Sequence, residues 1–195
     1  LRPERVTTAV ASERFLREAR VAASLRGPHA VRVFDVGVLP GGLPYMVMEL
    51  LEGMDLEEHL AMQGPLSVSD ACSLVRDAAL ALDEAHALGC IHRDLKPANL
   101  FLARQGGRTV LKVLDFGILK LQRETLASLT LTGPDVVLGS PPYMSPEQVR
   151  NAQHVDARSD VWSLGVILYE LLTAVSPFEG ESIPHGFALI ANHPP

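Results

Sequence analysis

Apolar residues recur at helical spacing in three stretches of the chain. From Ala11 to Arg26 they fall on one side of a helical wheel, with arginines elsewhere on it. A second apolar stripe follows Ser67 and Asp70, which fit the S-x-x-[DE] pattern that caps a helix start, and Gly89 ends it. Residues 157–173 are mostly apolar. The pattern therefore predicts three helices.

Short runs of β-branched and aromatic residues predict strands between these helices. Val31–Val36 and Tyr45–Leu51 are separated by the turn signal Pro40-Gly41-Gly42, which predicts a hairpin. Two shorter runs, Leu100–Leu102 and Val110–Leu114, flank a pair of glycines and predict a second hairpin. One helix with two strands, followed by a mostly helical part with a small hairpin, indicates an α+β fold.

A change in pattern near Glu49 to Gly53 suggests two units. We expect residues 1–51 to form a smaller unit and residues 52–195 a larger one, joined by a hinge. Residues 117–142 are polar, rich in threonine and punctuated by glycine and proline. A loop of this length is uncommon inside a compact domain and is usually functional.

Composition narrows the possible classes. The chain has 195 residues, 47% of them hydrophobic and 21% charged, with a net charge of −6, which argues against disorder and against nucleic-acid binding. The longest apolar run, Val161 to Val175, is too short and too interrupted to span a membrane. Cys72 and Cys90 have no metal-ligand spacing and cannot form a disulfide framework. We expect both thiols to be buried, in a cytoplasmic protein.

Three oxygen-bearing side chains are predicted to meet at one edge of the second hairpin. Asp94 and Asn99 lie in the loop after the capped helix, and Asp115 follows the second short strand. Carboxylate and amide oxygens suit Mg²⁺, which leaves other positions to phosphate and water, and Lys96 adds a positive charge. This set suits phosphoryl transfer. Asp115-Phe116-Gly117 alone could be an ordinary turn.

The eight residues from His92 to Asn99 match the H-R-D-L-x-x-x-N pattern of protein kinases, and D-F-G follows at a suitable distance. The sequence resembles a eukaryotic-type serine/threonine protein kinase of the kind found in bacteria. Ser145-Pro146-Glu147 stands where that family has Ala-Pro-Glu, and the segment from Asp160 to Gly165 resembles its buried large-lobe helix. The segment from Arg14 to Ala19 resembles its mobile small-lobe helix. The resemblance implies a two-lobed kinase fold.

The resemblance also assigns catalytic roles, with ATP and Mg²⁺ as cofactors. Asp94 would accept or orient the proton of the substrate hydroxyl, and Lys96 would steady the γ-phosphate. Asn99 and Asp115 would hold the metal ions. Glu18 would pair with a strand lysine, although by its sequence context it could equally be a solvated helix charge.

The same resemblance places adenosine at the hinge. Met48 would be the gatekeeper, the backbone from Glu49 to Leu51 would meet adenine, Asp55 would lie near the ribose, and Phe101 would form the floor beneath adenine. Met48, Leu51 and Phe101 could instead be core residues of almost any fold. Asp55 could simply cap the short helix that follows it.

Hydroxyl residues in the loop after Gly117 suggest regulation. The stretch around Thr130 and Thr132 resembles a bacterial autophosphorylation site, which makes another copy of the chain a possible substrate beside other proteins with Ser/Thr hydroxyls. Arg93 could pair with the phosphate and order the loop. Ser140 would keep the family's hydroxyl contacts with Asp94 and Lys96.

The sequence departs from the family at both ends. It shows no Gly-rich loop and no strand lysine, and Leu1 resembles a position shortly after that lysine. We expect a kinase truncated at both ends, weakly active or inactive by itself. Its Glu147 would then be a buried carboxylate without a partner, because the family's arginine is missing. A non-catalytic kinase-like binding or regulatory module remains an alternative, as does a small-molecule phosphotransferase.

Overall fold

The computed structural model describes residues 9–116, 141–150 and 155–192. Thr130, Thr132 and Ser140, which the sequence singles out, lie outside the described residues. No helix in the described ranges is long and apolar enough to cross a membrane.

The smaller unit is a helix packed on a hairpin. Helix α1 (Ala9–Ala22) lies against the antiparallel strands β1 (Val33–Val38) and β2 (Pro44–Met48). The helix ends four residues earlier than predicted because a tighter turn follows, in which Leu25 N–H donates to Ala22 O at 3.2 Å. The buried side chains of α1 are Phe15, Ala19 and Ala22, which pack with Leu16, Val33, Val36 and Met46.

The segment after α1 is bonded to the larger unit. The Glu84 carboxylate accepts hydrogen bonds from Arg26 N at 2.6 Å and from Gly27 N at 2.9 Å. Val113 N donates to His29 O at 2.7 Å, and Leu25 and Ala30 belong to the main hydrophobic cluster. Part of residues 1–51 is thus built into the larger unit. The division of the chain near residue 51 stays a prediction.

A three-stranded antiparallel sheet lies just after the hinge. Strands β3 (Gly53–Asp55), β4 (Leu100–Gln105) and β5 (Arg108–Val113) follow the order β3-β4-β5. β4 and β5 form the predicted second hairpin. β3 was not predicted because its three residues are too few to show an alternating pattern.

Helices form most of the larger unit. They are α2 (Leu56–Gln63), α3 (Val68–Ala87), α4 (Pro146–Arg150), α5 (Ala157–Thr173) and α6 (Ile183–Asn192), with 3₁₀ turns at Pro97–Asn99 and Pro141–Tyr143. As predicted, Ser67 caps α3, since its hydroxyl accepts from Asp70 N at 3.2 Å. The predicted helix over residues 157–173 matches α5 at both ends.

The main core forms where α3 and α5 pack together. The predicted stripe of α3 is largely buried, and its alanines let the two helices approach closely. The buried residues of this contact are Ala71, Ala78, Ala81, Leu82 and Ala85 of α3 with Leu164, Ile167 and Leu171 of α5. Cys90 is buried as expected, but Cys72 is exposed. That expectation was wrong because Cys72 is one position, about 100° of helix rotation, away from buried Ala71.

Gly53 has no room for a side chain. Its φ is +148°, and a Cβ there would lie 2.0 Å from Leu102 O on the paired strand. Gly64 has φ +73°, but a Cβ there would meet nothing within 4 Å. Gly64→Ala should therefore cost about 1–3 kcal/mol from backbone conformation alone. Gly53→Ala should cost more because β4 must also shift. Urea unfolding of both variants measures the difference, and equal losses would contradict the clash.

Candidate active site

A buried carboxylate holds the start of the loop that carries Asp94. Asp160 lies in the first turn of α5 and is 1% exposed. Its oxygens accept from His92 N at 2.9 Å and from Arg93 N at 2.9 Å. A third contact joins it to His86 Nε2 of α3 at 2.7 Å. These bonds compensate for removing the charge from water and attach the loop to two helices of the core.

Arg93 adopts a left-handed backbone conformation directly before Asp94. Its φ is +64°, which is uncommon for a residue with a side chain. Such conformations cost about 1–3 kcal/mol and persist only when the surroundings impose them. The bond from Arg93 N to Asp160 is one such constraint.

Asn99 connects Asp94 to the strand end that carries Asp115. Asn99 Nδ2 donates to Asp94 O at 2.7 Å, and Leu114 N donates to Asn99 O at 2.9 Å. The 3₁₀ turn that holds Asn99 closes with Asn99 N donating to Lys96 O at 2.9 Å. The structure therefore brings Asp94, Lys96, Asn99 and Asp115 into one cluster.

The electrostatics of Asp115 show the same grouping. Burial raises the pKa of the Asp115 carboxyl above its ordinary value, and the charge of Asp94 raises it further, while His92 and Lys96 act in the opposite direction. Asp115 has φ +53°, a second left-handed residue at this cluster. Two acidic groups held close together in a partly buried place favour a cation between them.

His92 packs inside the protein beneath the catalytic cluster. Its side chain is fully buried, Nε2 contacts Leu114 O at 2.8 Å, and its ring centroid is 5.4 Å from that of Phe116. Phe116 is 1% exposed and belongs to the cluster against which Val21 of α1 packs. His92 is thus a packing residue.

The donor set fits Mg²⁺ better than a transition metal. In the described part of the chain, no group of three or more His, Cys, Asp or Glu side chains could hold a metal ion. Mg²⁺ does not need such a cage, because it takes one or two carboxylates and completes its shell with water and phosphate. The Asn99 amide and the Asp115 carboxylate are oxygen donors of that kind.

The hinge runs between β2 and β3 without regular structure, and Glu49 anchors its start. Glu49 Oε1 accepts from Lys112 Nζ at 2.8 Å and from Arg32 N at 2.8 Å. Lys112 Nζ also donates to Ala30 O at 3.3 Å. Burial raises the pKa of Glu49, but the bonds from Lys112 and Arg32 lower it more, so the net shift is downward. These bonds hold the Glu49 side chain in place within the fold.

The other predicted adenosine-site residues border the hinge. Met48 is 40% exposed, and Leu51 and Phe101 are half-buried, so none of the three is a fully buried core residue. Asp55 faces Phe101 across β3 and β4. Asp55 also caps α2, because its carboxylate accepts from Glu58 N at 2.8 Å. The capping alternative for Asp55 is therefore correct, whatever further contact the residue makes.

Comparison with known proteins agrees with this geometry. The sequence profile of the protein kinase domain matches residues 3–193. The chain belongs to the protein kinase family. It is 44% identical over 172 residues to the serine/threonine-protein kinase PknB of Mycolicibacterium smegmatis, covering 87% of this chain and 27% of that protein. It is 43% identical over 176 residues to the serine/threonine-protein kinase pkn3 of Myxococcus xanthus, covering 90% and 32%.

A solved kinase structure confirms the predicted fold class. The crystal structure of a mutant form of the Mycobacterium tuberculosis PknI kinase domain superposes with a TM-score of 0.70 at 30% identity. The match covers 92% of this chain and 64% of that one. The chain thus spans about a quarter to a third of the length of the curated kinases that it matches.

Glu18 of this kinase lies near Cys90, which belongs to the core of the larger unit. It is half-buried on α1, and its charge contributes, after burial itself, to raising the pKa of the Cys90 thiol to about 11. Because the side chain is half-buried, Glu18 is not a fully solvated charge. The lysines in the described ranges are Lys96 and Lys112, and Lys112 pairs with Glu49. The strand lysine assigned to Glu18 by resemblance is not among the described residues.

Glu147 differs from expectation. It is half-buried and accepts a hydrogen bond from Ser159 Oγ at 2.5 Å, so it is not a buried carboxylate without a partner. Burial raises its pKa, but hydrogen bonds from Ser159, the backbone and Ser145 lower it more. The expectation was wrong because α5 offers a serine hydroxyl in its first turn.

Asp160 and Lys112 were not recognised as site-supporting residues from the sequence. Lys112 is a charged residue within an apolar run and Asp160 directly precedes one, and the two side chains are nearly fully buried, at 6% and 1% exposed. A charge that must be buried with its element needs a partner, which is the signal that could have identified both. The partners themselves are 63 to 82 residues distant, beyond any local pattern.

The Glu49–Lys112 pair should make kinase stability depend on pH. Because the folded pKa of Glu49 lies below its unfolded value, the pair contributes stability above the unfolded pKa that is lost as pH falls through the folded pKa. Glu49→Gln should lower the free energy of unfolding by about 1–3 kcal/mol at pH 7. As the pH falls, the variant should lose less stability than the wild type. Exposed Glu52→Gln is the matched control. Urea unfolding at several pH values measures this difference. Parallel plots of the free energy of unfolding against pH for Glu49→Gln and wild type would contradict the prediction.

The Asp115 carboxyl should have the opposite effect on how stability depends on pH. Its folded pKa lies above its unfolded value, so the stability that it contributes is present at low pH and is lost as pH rises. Asp115→Asn should raise Tm without nucleotide, by about 2–4 °C for each kcal/mol relieved. It should also abolish the Tm increase produced by MgATP. Exposed Asp83→Asn is the control in thermal unfolding, and a lowered Tm for Asp115→Asn would contradict the prediction.

Proposed function

We propose that this kinase transfers the γ-phosphoryl group of ATP to a serine or threonine hydroxyl of a protein. The observation that carries the proposal is the bond from Asn99 Nδ2 to Asp94 O, with Asp115 and Lys96 in the same electrostatic cluster. Phosphoryl transfer requires positioning and charge neutralisation more than covalent catalysis. A cluster of two carboxylates, an amide and an ammonium supplies both.

Asp94 and Lys96 serve the reacting groups. Asp94 orients the substrate hydroxyl and takes its proton as the oxygen attacks the γ-phosphorus and the bond to the β–γ bridging oxygen breaks. Lys96 places a positive charge against the transferring group. The bonds that fix Arg93 and Asn99 hold the Asp94 backbone from both directions, which lowers the entropy lost on reaching the reactive geometry.

Asn99 and Asp115 are the residues that would hold Mg²⁺. When bound, the ion neutralises charge on the phosphate oxygens. The raised pKa of Asp115 supports this assignment, since a partly buried carboxylate beside another acidic group gains most from a cation.

The nucleotide base and ribose belong at the hinge. Because the Glu49 side chain is bonded to Lys112, the polar groups of residues 49–51 that remain to meet adenine are those of the backbone. Met48 would act as gatekeeper, Phe101 as the floor beneath adenine and Asp55 as the acidic group near the ribose. Their partial exposure beside the hinge supports a ligand-facing role.

Glu18 would pair with the lysine that contacts the ATP phosphates in this family. Its half-buried position on α1, near Cys90, supports that role.

The substrate class includes a second copy of the chain. We propose phosphorylation in trans at Thr130 or Thr132, after which Arg93 would pair with the phosphate. The catalytic unit would work in the cytoplasm, where ATP is available and where the free thiols of Cys72 and Cys90 stay reduced.

The test uses the natural full-length protein with MgATP and casein as acceptor. Asp94→Asn should lower kcat by about 10²–10⁴-fold, because it removes the proton acceptor, and should leave ATP binding nearly unchanged. Asp83→Asn on the exposed face of α3 should retain wild-type activity. Phosphopeptide mapping in the same reactions should find phosphate on Thr130 or Thr132 in the wild type and in Asp83→Asn, but not in Asp94→Asn.

Two other results would contradict the proposal. Nucleotide binding without transfer to any protein would favour a non-catalytic kinase-like module. Transfer to an aminoglycoside but not to casein would favour a small-molecule phosphotransferase. Phosphate on neither threonine in an active preparation would contradict the proposed autophosphorylation alone.

A further inference from the structure

Gln148 of α4 connects two backbone segments through its side-chain amide. It is 7% exposed. Its Oε1 accepts from Ser145 N at 3.0 Å, and its Nε2 donates to Arg93 O at 2.9 Å. The second bond joins residues 55 positions apart in the chain and reaches the peptide that leads directly into Asp94.

Arg93 is consequently bonded at both of its backbone polar groups by side chains. Its N–H donates to Asp160 of α5, and its C=O accepts from Gln148 of α4. The left-handed φ of +64° at Arg93 needs such constraint. Asp160 fixes the peptide before Arg93, and Gln148 fixes the peptide between Arg93 and Asp94.

The segment that carries Gln148 is itself attached to α5. Ser163 Oγ donates to Tyr143 O at 2.8 Å, and Ser145 Oγ donates to Ser159 Oγ at 2.9 Å. Tyr143 Oη donates to Glu170 Oε2 at 2.7 Å. Gln148 therefore extends from a fixed base rather than from a free turn, and it can transmit the position of that base to the loop.

We propose that Gln148 is a positioning residue for phosphoryl transfer, acting through the Arg93 carbonyl to set the orientation of Asp94. The inference rests on the proposed function, which it deepens by adding a residue that none of the chemical motifs includes. It also links the segment of residues 141–150 to the reacting carboxylate, so a shift of that segment changes catalysis without touching nucleotide.

A glutamine is suited to this place because one side must accept and the other must donate. Glutamate keeps the acceptor for Ser145 N but sets a second acceptor against Arg93 O, so Gln148→Glu breaks the catalytic-loop bond selectively. Methionine has a similar length and provides neither strong group. Gln148→Met therefore removes both bonds with little change in packing.

The experiment compares these variants in the natural full-length protein, with MgATP and casein. Gln148→Glu and Gln148→Met should lower kcat by about 10–10²-fold, as expected for a small misplacement of a reacting group, and leave the KM for ATP within about twofold. Exposed Gln63 at the end of α2 supplies matched controls, and Gln63→Glu and Gln63→Met should retain wild-type kcat.

A double variant separates positioning from a merely structural role. If Gln148 acts through Asp94, adding Gln148→Glu to Asp94→Asn should lower kcat no further. Additive losses would overturn the inference, as would a lowered Tm with unchanged kcat per folded molecule.

The positioning role of Gln148 can be tested even if the proposed function is wrong. If the unsubstituted protein transfers no phosphoryl group, amide hydrogen exchange decides the positioning claim by itself. Faster exchange of the Asp94 amide, which belongs to the peptide whose carbonyl Gln148 binds, would support the link if it occurs in Gln148→Glu with α3 unaffected. Unchanged exchange would overturn it.

Discussion

A carboxylate with almost no exposure to water is the constraint on which the site depends. Asp160 sits in a mostly apolar helix, and its burial is tolerable only because backbone and imidazole nitrogens surround it. By accepting from consecutive amides, it fixes where the loop leaves the core and imposes a left-handed turn at Arg93. Neutralising or shortening this side chain would leave those amides unsatisfied and the loop without a defined start.

Side chains replace regular secondary structure throughout this loop. No strand or α-helix covers residues 92–96, so their backbone groups have no ladder to join. Asp160, Gln148 and Asn99 provide the missing partners from three different directions. Each bond spans a different pair of elements, which makes the arrangement of the reacting groups a property of the packed core rather than of the loop itself.

The sequence predicted what local patterns encode. The Ser67 cap, the α3 stripe and both ends of α5 depend on neighbouring residues, and all of them agree with the structure. The motif around Asp94 identified the family, although spacing alone could not. The partners of Glu147, Asp160 and Gln148 could not be predicted, because each lies across a turn or a long stretch of chain, and a polar residue carries no sign of which distant group it will meet. The exposed Cys72 shows that the burial of a single helical residue is also hard to predict, since neighbouring positions on a helix can lie in the core and in water.

Charged side chains attach the smaller unit to the larger one both after α1 and at the end of β2. Glu84 binds the backbone amides after α1, and Lys112 binds Glu49 at the end of β2. Val113 also bonds to His29, and Val21 of α1 packs on the main cluster, so helix α1 is itself held against the larger unit. A displacement of α1 that changes the distance between Glu18 and Asp115 therefore requires this packing and these hydrogen bonds to rearrange.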